Sequence, residues 1–281
     1  MKIIIVKGSE IPEKLRNVNP PVEKLSLKGN VELLNMPAVA IVGSRKFTAY
    51  GKQAAEKFAR AGAEAGLVVI SGLALGIDSI AHRAALAVGG KTIAVLPSGL
   101  ENIYPATHHG LAQQILDNGG LLVSEYSSKS KPMIYHFEQR NRIVSGLSEC
   151  VIVAEGAERS GSMITARLAL EQGKQLFAVP GPITSSSYRG NHNLINVGTE
   201  LLQDSNQILE FMNVTGDNKP KKSAANSEQA AILEQIDNGI SDGDELLQKS
   251  GLSADIFAQT LTMMELDGII HALGGNHWSR K

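Results

Sequence analysis

The chain has 281 residues, 43% hydrophobic and 20% charged, enough for one large buried core plus a small second domain, and this excludes wholesale disorder. Its net charge of −1 hides an asymmetry: residues 226–281 carry three Lys/Arg against nine Asp/Glu, while residues 1–225 hold 24 basic and 19 acidic side chains. Any polyanion partner therefore belongs to the front of the chain; no apolar run approaches the ~20 residues of a membrane span, and a single cysteine fits a reducing cytoplasm.

Residues 1–37 combine an opening strand, Met1–Lys7, too short for a signal-peptide core, with a proline-rich connection (Pro12, Pro20, Pro21, Pro37) that reads as an irregular wrap leading into the sheet. Ala38-Val39-Ala40-Ile41-Val42 is apolar without alternation, the pattern of a parallel strand covered on both faces. It ends in Gly43-Ser44-Arg45, where a glycine lets backbone approach a ligand and Ser44 and Arg45 add a hydroxyl and a guanidinium fork. The same tripeptide fits a plain surface turn with a solvated arginine. An alanine-rich amphipathic helix covers about 50–65 and stops at Gly66. Strand 67–70 follows, then the turn 71–78 with Gly72 and Gly76, then a helix containing His82 and Arg83. The spacing is not GxGxxG, and no GxxxxGK[ST] occurs, so neither a dinucleotide nor a nucleoside triphosphate is expected as cofactor. His82 lacks a second ligand four residues on and reads as a structural histidine.

Strand 92–96 leads to Pro97 and Tyr104-Pro105, after which His108 and His109 start a helix with no carboxylate or cysteine nearby to help hold a metal. Strand 121–125 is followed by a loop with Lys129, Lys131 and Pro132. The chain is organised around residues 137–181: helix, buried strand Val151–Ala154, the turn Ser160-Gly161-Ser162, a second helix, and buried strand Leu176–Val179. Free amides and serine hydroxyls at a helix start make an anion site. Arg140 and Arg142 arrive from the preceding helix, and Arg159 lies on the turn. Cys150, the one cysteine, excludes an intrachain disulfide and, sitting just before a strand, reads as inert packing.

After Gly181 a loop runs through Ser185–Ser187, and a short helix starts at Gly190. Residues 214–227 are polar, with Lys219, Lys221 and Lys222, and read as a linker. Residues 228–281 give three short helices (228–236, 242–250, 254–266) and a β-wing around Gly274-Gly275, a winged-helix-like pattern. The third helix offers Asp255, Gln259, Thr260, Thr262 and Glu265 but no Lys or Arg, so it would repel phosphates; the module reads as a protein-contact or regulatory domain.

Taken in order, VGSR (42–45), SGLALGIDSIAHRAAL (71–86), YP (104–105), FEQRNRIVSGLS (137–148), SGSMITARLALEQGK (160–174), AVPG (178–181) and GNHNLINVGTELL (190–202) resemble the DNA-processing protein A (Smf) family. The resemblance covers residues 37–212. It implies an extended Rossmann-like, doubly wound and mostly parallel α/β sheet (38–213) with a small C-terminal winged-helix-like domain (228–281). It also implies binding of single-stranded DNA, a homodimer, help in loading the RecA recombinase during natural transformation, and no catalytic turnover. Carried over by position, the G-S/T-R turn is Gly43-Ser44-Arg45, the base-stacking aromatic is Phe137, the RNR arginines are Arg140 and Arg142, and the SGS helix start is Ser160-Gly161-Ser162. Two positions depart: where relatives often carry a lysine after YP this chain has Ala106-Thr107-His108-His109, so that a backbone contact there, His109 being the candidate, would either weaken or become pH-dependent, and Glu138 stands where a proline is common, putting a carboxylate near the proposed DNA path.

Cations for the backbone, helix-start dipoles for phosphates and one π-face for a base are what an unpaired strand needs. With 4% aromatics the platform is small, so affinity should be mostly electrostatic and sequence-tolerant. Two readings stand for Phe137, base stacking or core packing, and two for Arg142, a phosphate contact or an ion pair. The competing function is a phosphoribohydrolase-like enzyme on a related fold, using Glu155 or Glu171, although the GGxGT turn expected there is absent. A Rossmann dehydrogenase lacks both fingerprint and ribose-binding acid.

Overall fold

Successive side chains of a strand face opposite sides of a sheet, and in β3 (Ala38–Gly43) both sides are apolar. The computed structural model describes residues 2–16, 18–214, 226–267 and 269–280. In it Ala38, Ala40 and Val42 enter one core layer, and Val39 and Ile41 enter the other. The chain divides into two units, residues 1–216 and 217–281.

In the first unit the strands are β1 (Ile4–Lys7), β2 (Lys24–Gly29), β3, β4 (Val68–Ser71), β5 (Thr92–Leu96), β6 (Leu121–Ser124), β7 (Cys150–Glu155), β8 (Gln175–Ala178) and β9 (Glu200–Leu201). Among the described residues they form one nine-stranded sheet, ordered β1-β2-β6-β5-β4-β3-β7-β8-β9. From β6 to β9 the neighbours run parallel, and β2 joins antiparallel to both β6 and β1. The fold is thus the extended, mostly parallel α/β sheet the resemblance implied. Residues 24–29 correct one expectation: they are not irregular wrap but a strand inside the sheet, with Leu25 and Leu27 in the core.

The helices are α1 (Glu13–Arg16), α2 (Ala49–Glu64), α3 (Ile77–Ala87), α4 (His109–Asp117), α5 (Ile134–Leu147), α6 (Gly161–Glu171), α7 (Arg189–Asn196) and α8 (Ser205–Phe211). α2 and α3 bury alanines and Phe58 against one face of the sheet, where small side chains allow close packing. α5 and α6, with the wrap residues Ile11, Leu15 and Val18, cover the other. The path matters for function. From β3 the chain winds outward through β4, β5 and β6, then returns over the sheet by α5 to place β7 on the opposite side of β3. A doubly wound sheet opens a crevice at such a reversal, beyond the carboxyl ends of the strands.

The second unit has α9 (Ser227–Asp237), α10 (Gly243–Ser250), α11 (Ala254–Leu266) and the hairpin β10 (Ile270–Gly274) and β11 (His277–Arg280). Ile232, Leu246, Phe257, Leu261 and Met264 make its core. Asp242 caps α10 by accepting from the Asp244 and Glu245 amides, and Gly251 ends it at φ +70°, a conformation glycine adopts without strain. Residues 215–225, most of the expected linker and all three of its lysines, lie outside the described residues.

Candidate nucleic-acid interface

At the reversal between β3 and β7 lies a cleft of about 780 Å³. Its wall after β3 is Gly43, Ser44, Arg45 and Lys46; Gly72, Ala74 and Asp78 follow from the turn after β4. α5 contributes Phe137, Arg140 and Asn141, the start of α6 contributes Ser160, Gly161 and Ser162, and Ser186 and Ser187 complete the rim. Segments more than a hundred residues apart therefore converge on one surface.

Arg45 is exposed, and its guanidinium carbon sits 5.3 Å from the centroid of the Phe137 ring, within cation–π range. Tyr104 meets the same ring edge-on at 5.5 Å. Phe137 is half-buried on the cleft wall and belongs to neither of the apolar core layers on the two faces of the sheet. Arg140 is different in kind. It is buried, donates to the carbonyls of Gly72 and Val95, and faces the buried Asp78, whose Oδ2 accepts from the amides of Gly72 (3.1 Å) and Ala74 (3.4 Å). Burial pushes Arg140 down to about 10, so it remains a cation at neutral pH, fixed in the cleft floor. Burial likewise raises Asp78 from the ordinary carboxylate range, with the Arg140 charge opposing that rise.

The glycines work by clearance. A Cβ at Gly72 would overlap the Arg140 guanidinium, and one at Gly76 (φ +83°) would collide with the Ser44 carbonyl. Gly76 therefore sits behind the cleft, holding the Gly43-Ser44-Arg45 turn through the Ile77 amide, which donates to Ser44 O at 3.1 Å. Gly161 opens α6 with free space around it, and the Ser160 and Ser162 hydroxyls lie 2.5 Å apart at the positive end of the helix dipole.

Two expected contacts fall elsewhere. Arg142 is buried, grips both carboxylate oxygens of Glu125 (2.7 and 2.9 Å) and donates from Nε to the Pro20 carbonyl at 2.8 Å. It is the ion pair of the two readings, one helical residue pair away from Arg140 but turned toward the wrap. His109 is exposed at the first turn of α4 and outside the cleft lining; its neighbour His108 is buried, its Nδ1 2.8 Å from the Leu73 carbonyl. Sequence reasoning passed over Lys46, Asn141 and Asp78. The first two had a legible signal: Lys46 adjoins Arg45, and Asn141 lies four residues after Phe137 on the same helix face.

The carboxylates of the hydrolase reading are both engaged. Glu155 is buried beneath the cleft and accepts from Thr48, and Glu171 is at the far end of α6, paired with Arg167. Cys150 is buried, its thiol pushed up to about 12, as inert packing requires. Among the described residues no cluster of three or more His, Cys, Asp or Glu could hold a metal, and no helix is long and apolar enough to cross a membrane. His82 is buried with Nδ1 2.6 Å from the Thr92 hydroxyl, and burial pushes it down to about 3. Unfolded imidazoles titrate near pH ~6.5, so the unfolded chain takes up this proton first. Stability should then fall as pH drops below about 6.5 and continue falling toward about 3. Denaturant titrations across that range should show a flatter acid limb for His82→Gln than for the wild type.

Fold and cleft together define an open Rossmann-like α/β protein whose switch-point cleft is lined by Arg45, Lys46 and Arg140 together with Asp78 and Glu138, carrying a winged-helix module. Residues 2–213 match the family described as DNA recombination-mediator protein A, and residues 217–276 match the DprA winged helix domain. The chain belongs to the DNA recombination-mediator protein A family. It is similar to Protein Smf of Escherichia coli, at 38% identity over 90% of this chain and 70% of that protein. It is also similar to DNA processing protein DprA of Streptococcus pneumoniae, at 46% identity over 66% of this chain and 65% of that protein. The X-ray structure of the latter superposes with a TM-score of 0.70 at 41% identity, covering 75% of this chain and 74% of that one. A structure of DNA processing protein A from Helicobacter pylori, described for its single-stranded DNA binding mode, superposes with a TM-score of 0.68 at 35% identity, over 75% of this chain and 95% of that one.

Proposed function

We propose that the cleft binds single-stranded DNA and that the chain is a cytoplasmic, homodimeric mediator, without catalytic turnover, that protects incoming DNA and helps load the RecA recombinase in transformation and recombination. One observation carries the reading: Arg45 stacks on Phe137 beside the buried Arg140 and the start of α6, so phosphate-binding and base-binding chemistry share one groove. The Helicobacter pylori relative, with its described single-stranded DNA binding mode, supports the same ligand. The family's description as a recombination mediator supports the mediator role, and the resemblance of the sequence motifs implies the recombinase partner. Aromatics are few, so backbone charge supplies most of the affinity.

Arg45→Ala should weaken oligonucleotide binding and flatten its salt dependence by about 0.7 in the log–log slope, the value of one phosphate contact on a single strand. Phe137→Ala should lose ~1–3 kcal/mol with the slope unchanged, because a base stack releases no counterions. Band shifts comparing single-stranded with duplex oligonucleotides across a salt series test both. Equal affinity for the two forms, or an Arg45→Ala slope identical to that of the wild type, would remove the proposed site.

A further inference from the structure

Glu155 is the last residue of β7 and is fully buried, yet among the described residues it has no ion-pair partner. Stripping a carboxylate of water is costly unless its lone pairs are filled. Here they are filled by one loop and one turn, both on the cleft. The Thr48 amide and the Thr48 hydroxyl donate to Oε2 at 2.9 and 2.8 Å, and the Tyr188 hydroxyl reaches the same oxygen at 3.4 Å. The backbone of Glu155 holds the other end of that loop: its carbonyl accepts from the Ser44 amide at 2.7 Å. Residues 44–48, which carry the exposed Arg45 and Lys46, are thus fastened at both ends to one residue. The Thr48 hydroxyl in turn accepts from the Gly51 amide at 3.1 Å, capping α2. Space for this arrangement is kept by two glycines: a Cβ at Gly51 would strike the Glu155 carboxylate, and one at Gly43 would crowd its carbonyl at 2.8 Å. On the opposite side, Tyr188 follows Ser186 and Ser187 of the cleft rim.

We infer that Glu155 is a positioning residue for nucleic acid, its buried carboxylate and carbonyl setting the loop that presents Arg45 over Phe137; this rests on the cleft binding single-stranded DNA as proposed above. A carboxylate is the side chain for this task because it accepts only, and all the groups around it donate. Left unfastened, a short loop with three exposed side chains at Arg45, Lys46 and Phe47 would be ordered only when DNA binds, at a cost in affinity. Glu155→Gln keeps the size of the side chain but replaces a charged acceptor by a neutral one and sets an NH₂ where Oε1 lies 3.2 Å from the Thr48 amide, so the bonds that fasten the loop weaken.

The test measures affinity for a labelled oligothymidylate over a salt series, on folded full-length chain. Glu155→Gln should weaken binding by about five- to tenfold and lower the slope toward that of Arg45→Ala, since one phosphate contact is lost. In a double-mutant cycle, Glu155→Gln should add nothing to Arg45→Ala, because both remove the same contact. Ile152→Val, a buried change on the same strand, should lower stability and leave the slope alone. Should Glu155→Gln not fold, the pair Thr48→Val and Thr48→Ser serves: the valine variant should behave as Glu155→Gln is expected to, and the serine variant, which keeps the hydroxyl, as wild type. Unchanged affinity and slope in Glu155→Gln or Thr48→Val, or losses that add to those of Arg45→Ala, overturn the positioning role while the cleft stands. A wild type that does not bind, or an Arg45→Ala slope equal to that of the wild type, overturns the cleft itself and the inference with it.

Discussion

Arg142→Ala should cost about 3–5 kcal/mol of stability and leave the affinity of the folded protein for single-stranded DNA unchanged. The reason lies in what the side chain touches. Its guanidinium is buried, grips both carboxylate oxygens of Glu125 and reaches the carbonyl of Pro20, so it ties α5 to the end of β6 and to the wrap. Removing it strands Glu125, which is itself mostly shielded from water. Loss of one partner of a buried pair is more damaging than the pair is stabilising, because the surviving charge keeps its desolvation cost. Arg142→Lys should recover only part of the loss, since an ammonium cannot bridge two oxygens and a carbonyl in one plane. Thermal melts should show a fall in Tm of about 10 °C for the alanine variant, and band shifts of the folded sample should match the wild type in affinity and salt slope. A slope reduced by one contact would return Arg142 to the groove.

That result bears on how much of this site is written in the sequence. The strands were legible because apolar runs such as Val151–Ala154 have no other use than burial on both faces. The turn Gly43-Ser44-Arg45 fitted a plain surface turn equally well from its residues alone; only the fold places it with the Ser160 helix start on one cleft. Two arginines two residues apart on one helix were not legible either. At 100° per residue, Arg140 and Arg142 point about 200° apart, so a motif that names both cannot bring both to one surface; which of them faces the cleft depends on where β6 and the wrap lie. Strand β2 was hidden for a similar reason, since residues 24–29 mix lysines with leucines and take their partners from β6, far along the chain. The clearance roles of Gly72 and Gly76 appear only once Arg140 and Ser44 are placed against them.

Gly72→Ala should abolish most single-stranded DNA binding, by tenfold or more, and cost about 2–4 kcal/mol of stability. The three nearest atoms in the way all belong to the Arg140 guanidinium. The added methyl group would occupy the place of the Arg140 guanidinium, which is held there by the Gly72 and Val95 carbonyls and by the field of Asp78. If Arg140 leaves, the cleft floor loses its permanent charge and Asp78 is left buried without its cation, with the Gly72 and Ala74 amides and the Ser71 hydroxyl beside it. The two consequences can be separated. Adding Asp78→Asn to Gly72→Ala removes the stranded carboxylate and should recover stability in denaturant titrations, while DNA affinity stays low because the cation is still displaced. Recovery of both together would mean that Arg140 contributes to the fold of the cleft and not to its ligand. Recovery of neither would mean that the strain of the added methyl, and not the unpaired carboxylate, sets the cost.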